Sequence, residues 1–421
     1  MLSDRAAYYL TIVAVVAGGT TFAAWLAANA GTAFAVERLV AVLVIACPHA
    51  LGLAVPLVAS ISTTKAARNG FLVKQRLALE AARNVDVVLF DKTGTLTKGE
   101  FGVTNIWPMG GAPDREVLQL AASVDAHSEH PIAKAIVARA RAENIPLLDI
   151  RDFVRIPGKG AKGVMGGTLV TVGSAGIADD VSVTPPAAVS EEQKKGKTII
   201  YVLREGRAVG ILALADIIRE ESREAVKILK SMGVAVAMIT GDAEDVAKWV
   251  ASQIGIDQYF ARVLPHEKSE IVRRLQRGEA PTLAAARSGS RPPTQDRGVG
   301  SKRVAMVGDG INDAPALTQA DLGIAIGAGT NVAIESAGII LVRNDPRDIP
   351  KIIKLSRFTY AKMLQNLFWA TGYNVVAIPL AAGALAFKGI LLEPALAAVL
   401  MSLSTVIVAV NAMLLRRRSL S

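Results

Sequence analysis

The sequence predicts a multidomain protein in which α-helical membrane segments enclose an α/β domain with a parallel, doubly wound sheet, itself interrupted by a smaller α+β domain. Three observations predict it. Long apolar stretches lie towards both ends of the chain, β-branched runs alternate with amphipathic helices over residues 85–100 and 211–347, and residues 101–207 break that alternation. The boundaries read as 1–65 for two membrane helices, 66–100 with 208–350 for the α/β domain, 101–207 for the insert and 351–421 for two further membrane helices.

Composition agrees with lipid contact. Of the 421 residues 51% are hydrophobic, and the mean hydropathy of +0.37 is high for an ordinary soluble chain. The net charge of +10 is spread along the chain with few aromatic residues near it. That pattern points to anionic membrane lipid, positive-inside topology and a nucleotide ligand, and away from nucleic acid. Cys47 is the single cysteine, so an intrachain disulfide is excluded.

The first span is predicted over Tyr8 to Ala28. Ala28-Asn29-Ala30 resembles a signal-peptidase site, but the apolar run exceeds the ~7–15 residues of a signal core. The second span, Ala35 to Ile61, is interrupted by Cys47-Pro48-His49 and by Pro56. The third covers Leu367 to Phe387 and the fourth Leu392 to Leu415, before Arg416-Arg417-Arg418. Lys65, Arg68 and Lys74 follow the second span, and Lys351, Lys354, Arg357 and Lys362 precede the third. By the positive-inside rule residues 62–365 form one cytoplasmic body of a multi-pass protein, expected in the plasma (inner) membrane.

Within that body Val85 to Phe90 is a buried strand ending at Asp91. Ala208 to Leu214 reads as a strand of the same sheet, Glu220 to Met232 as a helix, and Val234 to Ile239 as a strand leading into Thr240-Gly241-Asp242. Helices over Ala243 to Ile254 and Lys268 to Arg277 precede the strand Arg303 to Val307, which runs into Gly308-Asp309-Gly310. Residues 279–300, rich in Pro, Ser, Arg and Gly, read as a disordered loop.

Ligands of open α/β sheets bind at the carboxyl ends of the strands. A carboxylate nucleophile for phosphoryl transfer needs a counter-charge, donors for the phosphoryl oxygens and an aligned leaving group. Asp91 is placed to attack, Thr240 and Gly241 to donate, and Lys268 to bring fixed positive charge. Asp309 and Asp313, with Asn312 beside them, offer hard oxygen ligands to Mg²⁺.

In the insert, helices Asp114 to Ala126 and Ile132 to Glu143 precede strands around Phe153–Ile156, Gly167–Gly173 and Thr198–Leu203. Gly158 to Gly163 matches GxGxxG, with Asp179 and Asp180 further on. No helix follows, so a dinucleotide site is not expected. The small residues Gly158 and Gly160 instead let backbone approach a flat base or a phosphate. His130, before Pro131, reads equally as a helix cap or as a ligand contact.

Pro48 removes a backbone donor in mid-span and is expected to free the carbonyl of Val44, which would face the membrane interior with Cys47 and His49. Sulfur and imidazole suit copper, zinc and similar ions. Taken singly, Cys47 reads as a buried small residue and Pro48 as a tolerated kink. An intramembrane histidine beside a thiol reads as functional. Tyr373-Asn374 and Met401-Ser402, with Ser404 and Thr405, lie on the later spans.

Asp91-Lys92-Thr93-Gly94-Thr95, Thr240-Gly241-Asp242, Lys268 and Gly308-Asp309-Gly310-Ile311-Asn312-Asp313, in that order, resemble the motif set of haloacid-dehalogenase-like phosphotransferases of the P-type ATPase group. Ser128-Glu129-His130-Pro131 and Cys47-Pro48-His49 resemble the heavy-metal P1B branch, and Cys-Pro-His with Tyr-Asn and Met-Ser-x-Ser-Thr looks most like its CopB-type copper exporters. The resemblance implies ATP and Mg²⁺ as cofactors and an aspartyl phosphate on Asp91. It implies Lys92, Thr93 and Asp242 as further catalytic residues, and Asp91 and Thr93 beside Asp309 and Asp313 at magnesium. Glu129, His130, Gly158 and Gly160 would contact adenine and ribose, and Cys47, His49, Tyr373, Asn374, Met401 and Ser402 the transported copper. Phosphatases of that superfamily carry an aspartate where Thr93 stands, so the phosphoenzyme is expected to persist.

The actuator motif Thr-Gly-Glu of such pumps does not occur in these residues. The chain therefore resembles the C-terminal part of a pump, expected to bind ATP but not to transport alone, with a separate chain supplying the actuator and upstream helices. A membrane-tethered phosphatase of the same superfamily, or a non-catalytic fragment that binds metal or a partner, are the alternative readings.

Overall fold

The computed structural model describes residues 2–47, 49–177, 185–279, 301–327 and 331–420, with only the backbone of 2–6 and 49–51. Pro48, Asp179, Asp180 and the 280–300 stretch lie outside the described residues. Two units make up the chain, one of residues 1–84, 338–342 and 348–421, the other of 85–337 and 343–347. Residues 66–84, expected in the α/β domain, fall in the first unit, while their strand Phe71–Val73 belongs to the same seven-stranded sheet as Val87–Asp91. The short strand Phe71–Val73 pairs antiparallel with Ile339–Leu341.

The helical unit holds Leu2–Ala27, Thr32–Ile45, His49–Arg68, Asp348–Thr371, Asn374–Ala382 and Pro394–Met413. Four spans are expected from the sequence. Among the described residues two helices are long and apolar enough by themselves, Ala7–Ala27 and Pro394–Arg417. The second expected span is divided after Ile45, and the third after Thr371, where Gly372 and Tyr373 separate two helices. Each break shortens an apolar run below the roughly 20 residues that a span needs.

Small residues let these helices approach closely: Ala41, Val42 and Ile45 pack with Ala377, Ala381 and Ala397. Polar side chains bond between helices. Ser62 Oγ and Thr359 Oγ1 are 2.7 Å apart, and Asn411 Nδ2 donates to Asn366 Oδ1 (2.7 Å). Val375 and Phe387 are more than three-quarters exposed, as side chains meant for lipid would be.

In the second unit five parallel strands lie in the order Leu322–Ile326, Val304–Gly308, Val87–Asp91, Ala235–Ile239, Gln258–Phe260. Asp91 thus ends the central strand, whose five residues are all buried, as the near-continuous apolar run of a parallel strand requires. Val87, Leu89, Ile239, Phe260, Val272, Leu275, Met306 and Leu317 share one core.

The insert is a six-stranded antiparallel sheet, ordered Thr97–Pro108, Arg207–Ile218, Thr198–Arg204, Thr168–Gly173, Gly160–Met165, Arg151–Ile156. The helices Asp114–Asp125 and Pro131–Ala142 cover one face through Leu118, Val124 and Ile136. Strand Arg207–Ile218, expected in the parallel sheet, belongs here instead. Its direction is fixed by Glu205 (φ 48°) and Gly206 (φ 71°), a two-residue turn that pairs Arg204 with Arg207. Both chain crossings into the insert are therefore the paired strands Thr97–Pro108 and Arg207–Ile218.

Candidate functional site

The central strand delivers Asp91 into a tight turn. Thr93 (φ −74°, ψ 133°) and Gly94 (φ 71°, ψ −18°) have the backbone of a type II turn, which needs positive φ at its third residue. Gly94 is required twice over, because a Cβ there would lie 1.8 Å from Asp309 Oδ2. The turn thereby brings the Asp309 carboxylate against the backbone that follows Asp91. Thr97 and Gly99 are held by Asp216, whose Oδ2 accepts from Thr97 Oγ1 (2.5 Å) and whose Oδ1 accepts from the Gly99 N–H (3.1 Å).

Lys268, at the start of helix Lys268–Gln276, is buried and donates to Asp91 Oδ1 (2.7 Å) and Asp313 Oδ1 (2.6 Å). Asp313 Oδ2 accepts from the backbone N–H groups of Asp309 (3.3 Å) and Gly310 (3.1 Å). Asp91, Asp309 and Asp313 each offer an oxygen atom, all within 4.8 Å of one another. Burial raises the Asp91 pKa to about 7, with Asp313 adding to the rise and Lys268 opposing it. Asp309 is raised by burial and by Asp313. Burial works against the Lys268 charge, but Asp91 and Asp313 outweigh it, so its pKa is raised. Three acids around one ammonium leave an excess of negative charge, a donor set of hard oxygens that fits a divalent cation.

Lys92 does not face Asp91. Its Nζ lies 2.8 Å from Asp242 Oδ2 and 3.5 Å from Asp216 Oδ2. Thr240 is buried, and its Oγ1 accepts from the Asp242 N–H (3.2 Å). Gly241, Thr93 and Asn312 are exposed. Sequence reasoning missed Asp216 and Arg219. Arg219 donates to the Thr97 carbonyl (3.0 Å) and the Gly94 carbonyl (3.3 Å), fixing the turn from the returning strand. A carboxylate and a guanidinium three residues apart at the end of an apolar strand were the available signal.

In the insert a cavity of ≈ 280 Å³ is lined by Asp125, His130, Arg155, Gly158, Lys159 and Gly160, among others. His130 caps helix Pro131–Ala142 by accepting the Ile132 N–H at Nδ1 (3.3 Å) and also lines the cavity. Gly160 faces Gly173 so closely that a Cβ would meet the Val172 carbonyl oxygen at 2.1 Å. Glu129 does not line the cavity. Its side chain is 94% exposed and pairs with Lys134 (2.6 Å). The acid of the cavity is Asp125, which burial raises to about 7, and the sequence carries no signal that separates it from Glu129.

In the membrane unit the Val44 carbonyl is not freed as expected, since it accepts the Cys47 N–H (3.3 Å) in a tightened last turn. The carbonyl turned to another helix is that of Ile45, which accepts from the Tyr373 hydroxyl (3.2 Å). Cys47 is exposed. His49 begins the next helix, its side chain outside the described residues. Asn374 is buried with neither amide atom hydrogen-bonded, an arrangement that in a dry site calls for a ligand or water. Met401 is half-buried, and Ser402 is exposed and donates to Ala398 in its own helix (3.0 Å). The structure thus brings Tyr373 to the break after Ile45 and gives Ser402 no such contact.

A carboxylate ending the central parallel strand, with a lysine and two aspartates converging on it from later loops, defines a class. The chain belongs to the haloacid dehalogenase-like hydrolases, whose family model matches residues 85–321. Within that class it stands with the heavy-metal PIB-type P-type ATPases, next to their copper-exporting B group. It is 52% identical to the copper-exporting P-type ATPase B of Archaeoglobus fulgidus over 415 residues, 99% of this chain and 57% of that protein. It is 40% identical to the copper-exporting P-type ATPase B of Enterococcus hirae over 417 residues, 99% of this chain and 53% of that protein. A zinc-transporting PIB-type ATPase in its E2·Pi state matches with a TM-score of 0.80 at 32% identity, over 97% of this chain and 62% of the other. The chain therefore spans little more than half of the proteins it matches, and those relatives give it a membrane location.

Proposed function

We propose that these residues carry the ATP-binding, phosphorylation and part of the membrane pathway of a pump that exports a soft metal ion, copper first. The observation that carries the reading is Asp91, buried at the end of the central strand and held by Lys268 beside Asp309 and Asp313. In the proposed step an Asp91 oxygen attacks the γ-phosphorus of ATP, the bond to the β-phosphate oxygen breaks, and ADP leaves. Lys268 holds the Asp91 carboxylate in place and offsets charge on the transferred group, with Thr240 and the Gly241 backbone placed as donors. Asp91, Asp309 and Asp313 would hold Mg²⁺. Bound there, the cation supplies charge neutralisation for acids and phosphates alike.

ATP is assigned to the cavity of the insert, its base towards Asp125 and against the backbone of Gly158 and Gly160. For the metal ion the donors are the Cys47 thiol and the unpaired amide of Asn374, with Tyr373 at the helix break and His49 two residues after Cys47 in the sequence. Sulfur and nitrogen favour copper or zinc over sodium or calcium. The catalytic body would face the cytoplasm, and an actuator would come from elsewhere in the assembled pump. A phosphatase reading has no observation in its favour, because Thr93 cannot act as an acid and base at neutral pH.

The test is γ-labelled ATP with Mg²⁺. An acid-stable, hydroxylamine-sensitive label on the wild-type chain and none on Asp91→Asn supports the reading. Label that persists in Asp91→Asn would overturn it.

A further inference from the structure

One end of the helical unit carries a concentration of positive charge that no part of the pump chemistry uses. Residues 49–79 contain no Asp or Glu, and between 349 and 421 the sole carboxylate side chain is Glu393, which precedes helix Pro394–Met413 at its opposite end. Lys65, Arg68, Lys362, Arg416, Arg417 and Arg418 come from three helices distant in sequence. The helices that carry them are joined by direct contacts. Lys65 Nζ donates to the Arg416 carbonyl (3.0 Å), and Lys362 Nζ donates to Asn411 Oδ1 (2.7 Å). The Arg418 guanidinium stands 5.9 Å from the centre of the Phe358 ring.

Among the described residues none of these six has a carboxylate partner, whereas Lys351, on the same helix as Lys362, is paired with Asp348 (2.7 Å). Arg68 and Arg416 to Arg418 are exposed. Below them lies an apolar floor of Val58, Ile61, Ala412 and Leu415 with Phe358 and Met363 packed on it. Burial lowers the pKa of Lys65, and burial and then the Arg418 charge lower that of Lys362. Lys362 therefore bears part of the cost of a like-charge cluster that an anion would relieve.

We propose that this cluster is a binding site for the phosphate headgroup of an anionic phospholipid, whose acyl chains lie against the exposed helix faces. Two features favour lipid over free phosphate. The cations sit where helix Pro394–Met413 leaves its apolar stretch, the depth at which headgroup phosphates lie. The floor and the neighbouring Met413 and Leu414, both exposed, offer an acyl chain contact that inorganic phosphate cannot use. Basic residues just outside a span each contribute about fivefold in affinity for anionic lipid, so several together select it strongly over a zwitterionic one. The inference rests on the membrane location of the chain and on neither ATP nor the metal ion.

The test compares the full chain in nanodiscs of phosphatidylcholine alone and with phosphatidylglycerol, and native mass spectra of lipids retained in detergent. Wild type should retain phosphatidylglycerol in preference to phosphatidylcholine, and the triple variant Arg416→Gln, Arg417→Gln, Arg418→Gln should lose that preference by roughly a hundredfold. Arg-to-Lys changes at the same three positions should keep it, which separates lost charge from misfolding. Labelling of Asp91 by ATP in the triple variant reports an intact catalytic unit, so failure here is distinguishable from failure of the pump reading. Equal retention of both lipids by wild type overturns the proposal. So does an unchanged preference in the triple variant, or saturation by millimolar inorganic phosphate with no preference for lipid.

Discussion

Lys268 Nζ lies 2.7 Å from Asp91 Oδ1 and 2.6 Å from Asp313 Oδ1, so one buried ammonium serves two buried carboxylates. Removing it strands both acids. Breaking a buried pair in this way costs about 3–5 kcal/mol, because the remaining charges lose compensation without regaining water.

For Lys268→Met we therefore expect a clear fall in the thermal midpoint and at least a hundredfold loss of Asp91 labelling. The sign with pH follows from Asp91, whose folded pKa of about 7 already exceeds the unfolded value near 4. A carboxyl of that kind holds its proton longer in the folded state, and its contribution to stability is lost as pH rises through 7. Without Lys268 the folded value climbs further, so the variant should be more destabilised at pH 8 than at pH 6. Equal midpoint shifts at the two pH values would contradict the arrangement.

Gly94→Ala tests the turn. The new Cβ would meet Asp309 Oδ2 at 1.8 Å, at a φ of 71° that side chains rarely adopt. Positive φ alone costs roughly 1–2 kcal/mol for a non-glycine residue, and the collision must also move Asp309. Binding of Mg²⁺ measured by calorimetry should weaken tenfold or more. Gly233→Ala, also at positive φ (76°) but with open space around the new methyl, should lose stability and leave Mg²⁺ affinity unchanged.

Legibility of the site differed from that of its surroundings. Asp91, Thr240, Lys268, Asp309 and Asp313 were readable because each follows an apolar strand or opens a helix in a polar turn, and the alternation of such segments leaves few topologies. Strand Arg207–Ile218 was misassigned because an apolar alternating run fits either sheet. Only the pairing across Glu205 and Gly206 decides between them. Asp125 was passed over for Glu129 because burial is a tertiary property: both are acids near a helix end, and only packing leaves one beneath the cavity and the other in solvent. The Val44 carbonyl was misjudged for a related reason. A helix ahead of a proline can close its own last carbonyls by tightening, as Cys47 does here.

Asp125 gives the nucleotide cavity a pH dependence. Burial raises its pKa to about 7, so the carboxyl is largely neutral at pH 6 and ionised at pH 8. An ionised carboxylate accepts from the exocyclic amino group of adenine and repels the keto oxygen of guanine. Adenosine, which has no phosphate to titrate, should bind several-fold more tightly at pH 8 than at pH 6. Asp125→Asn should flatten that dependence, narrow the preference for adenosine over guanosine, and raise the thermal midpoint at pH 8, where the wild type carries a buried charge. The difference between wild type and Asp125→Asn is the measurement to read.

The membrane donors make separable predictions. Asn374 is buried with both amide atoms unpaired, and an unsatisfied buried polar group costs about 1–3 kcal/mol. If its oxygen is there for an ion, Asn374→Leu should lower metal affinity while leaving the metal-free chain as stable as wild type or more so. Cys47 lies exposed beside the helix break, so Cys47→Ser should weaken copper more than cobalt, since a soft ion gains most from sulfur. Ser402 hydrogen-bonds within its own helix, and Ser402→Ala should change metal affinity little. Equilibrium dialysis of copper, zinc and cobalt against the three variants distinguishes these outcomes. A loss at Ser402 matching that at Cys47 would mean that the ion sits nearer to helix Pro394–Met413 than the contact of Tyr373 with Ile45 implies, and equal copper binding in Cys47→Ser and wild type would remove the thiol from the site.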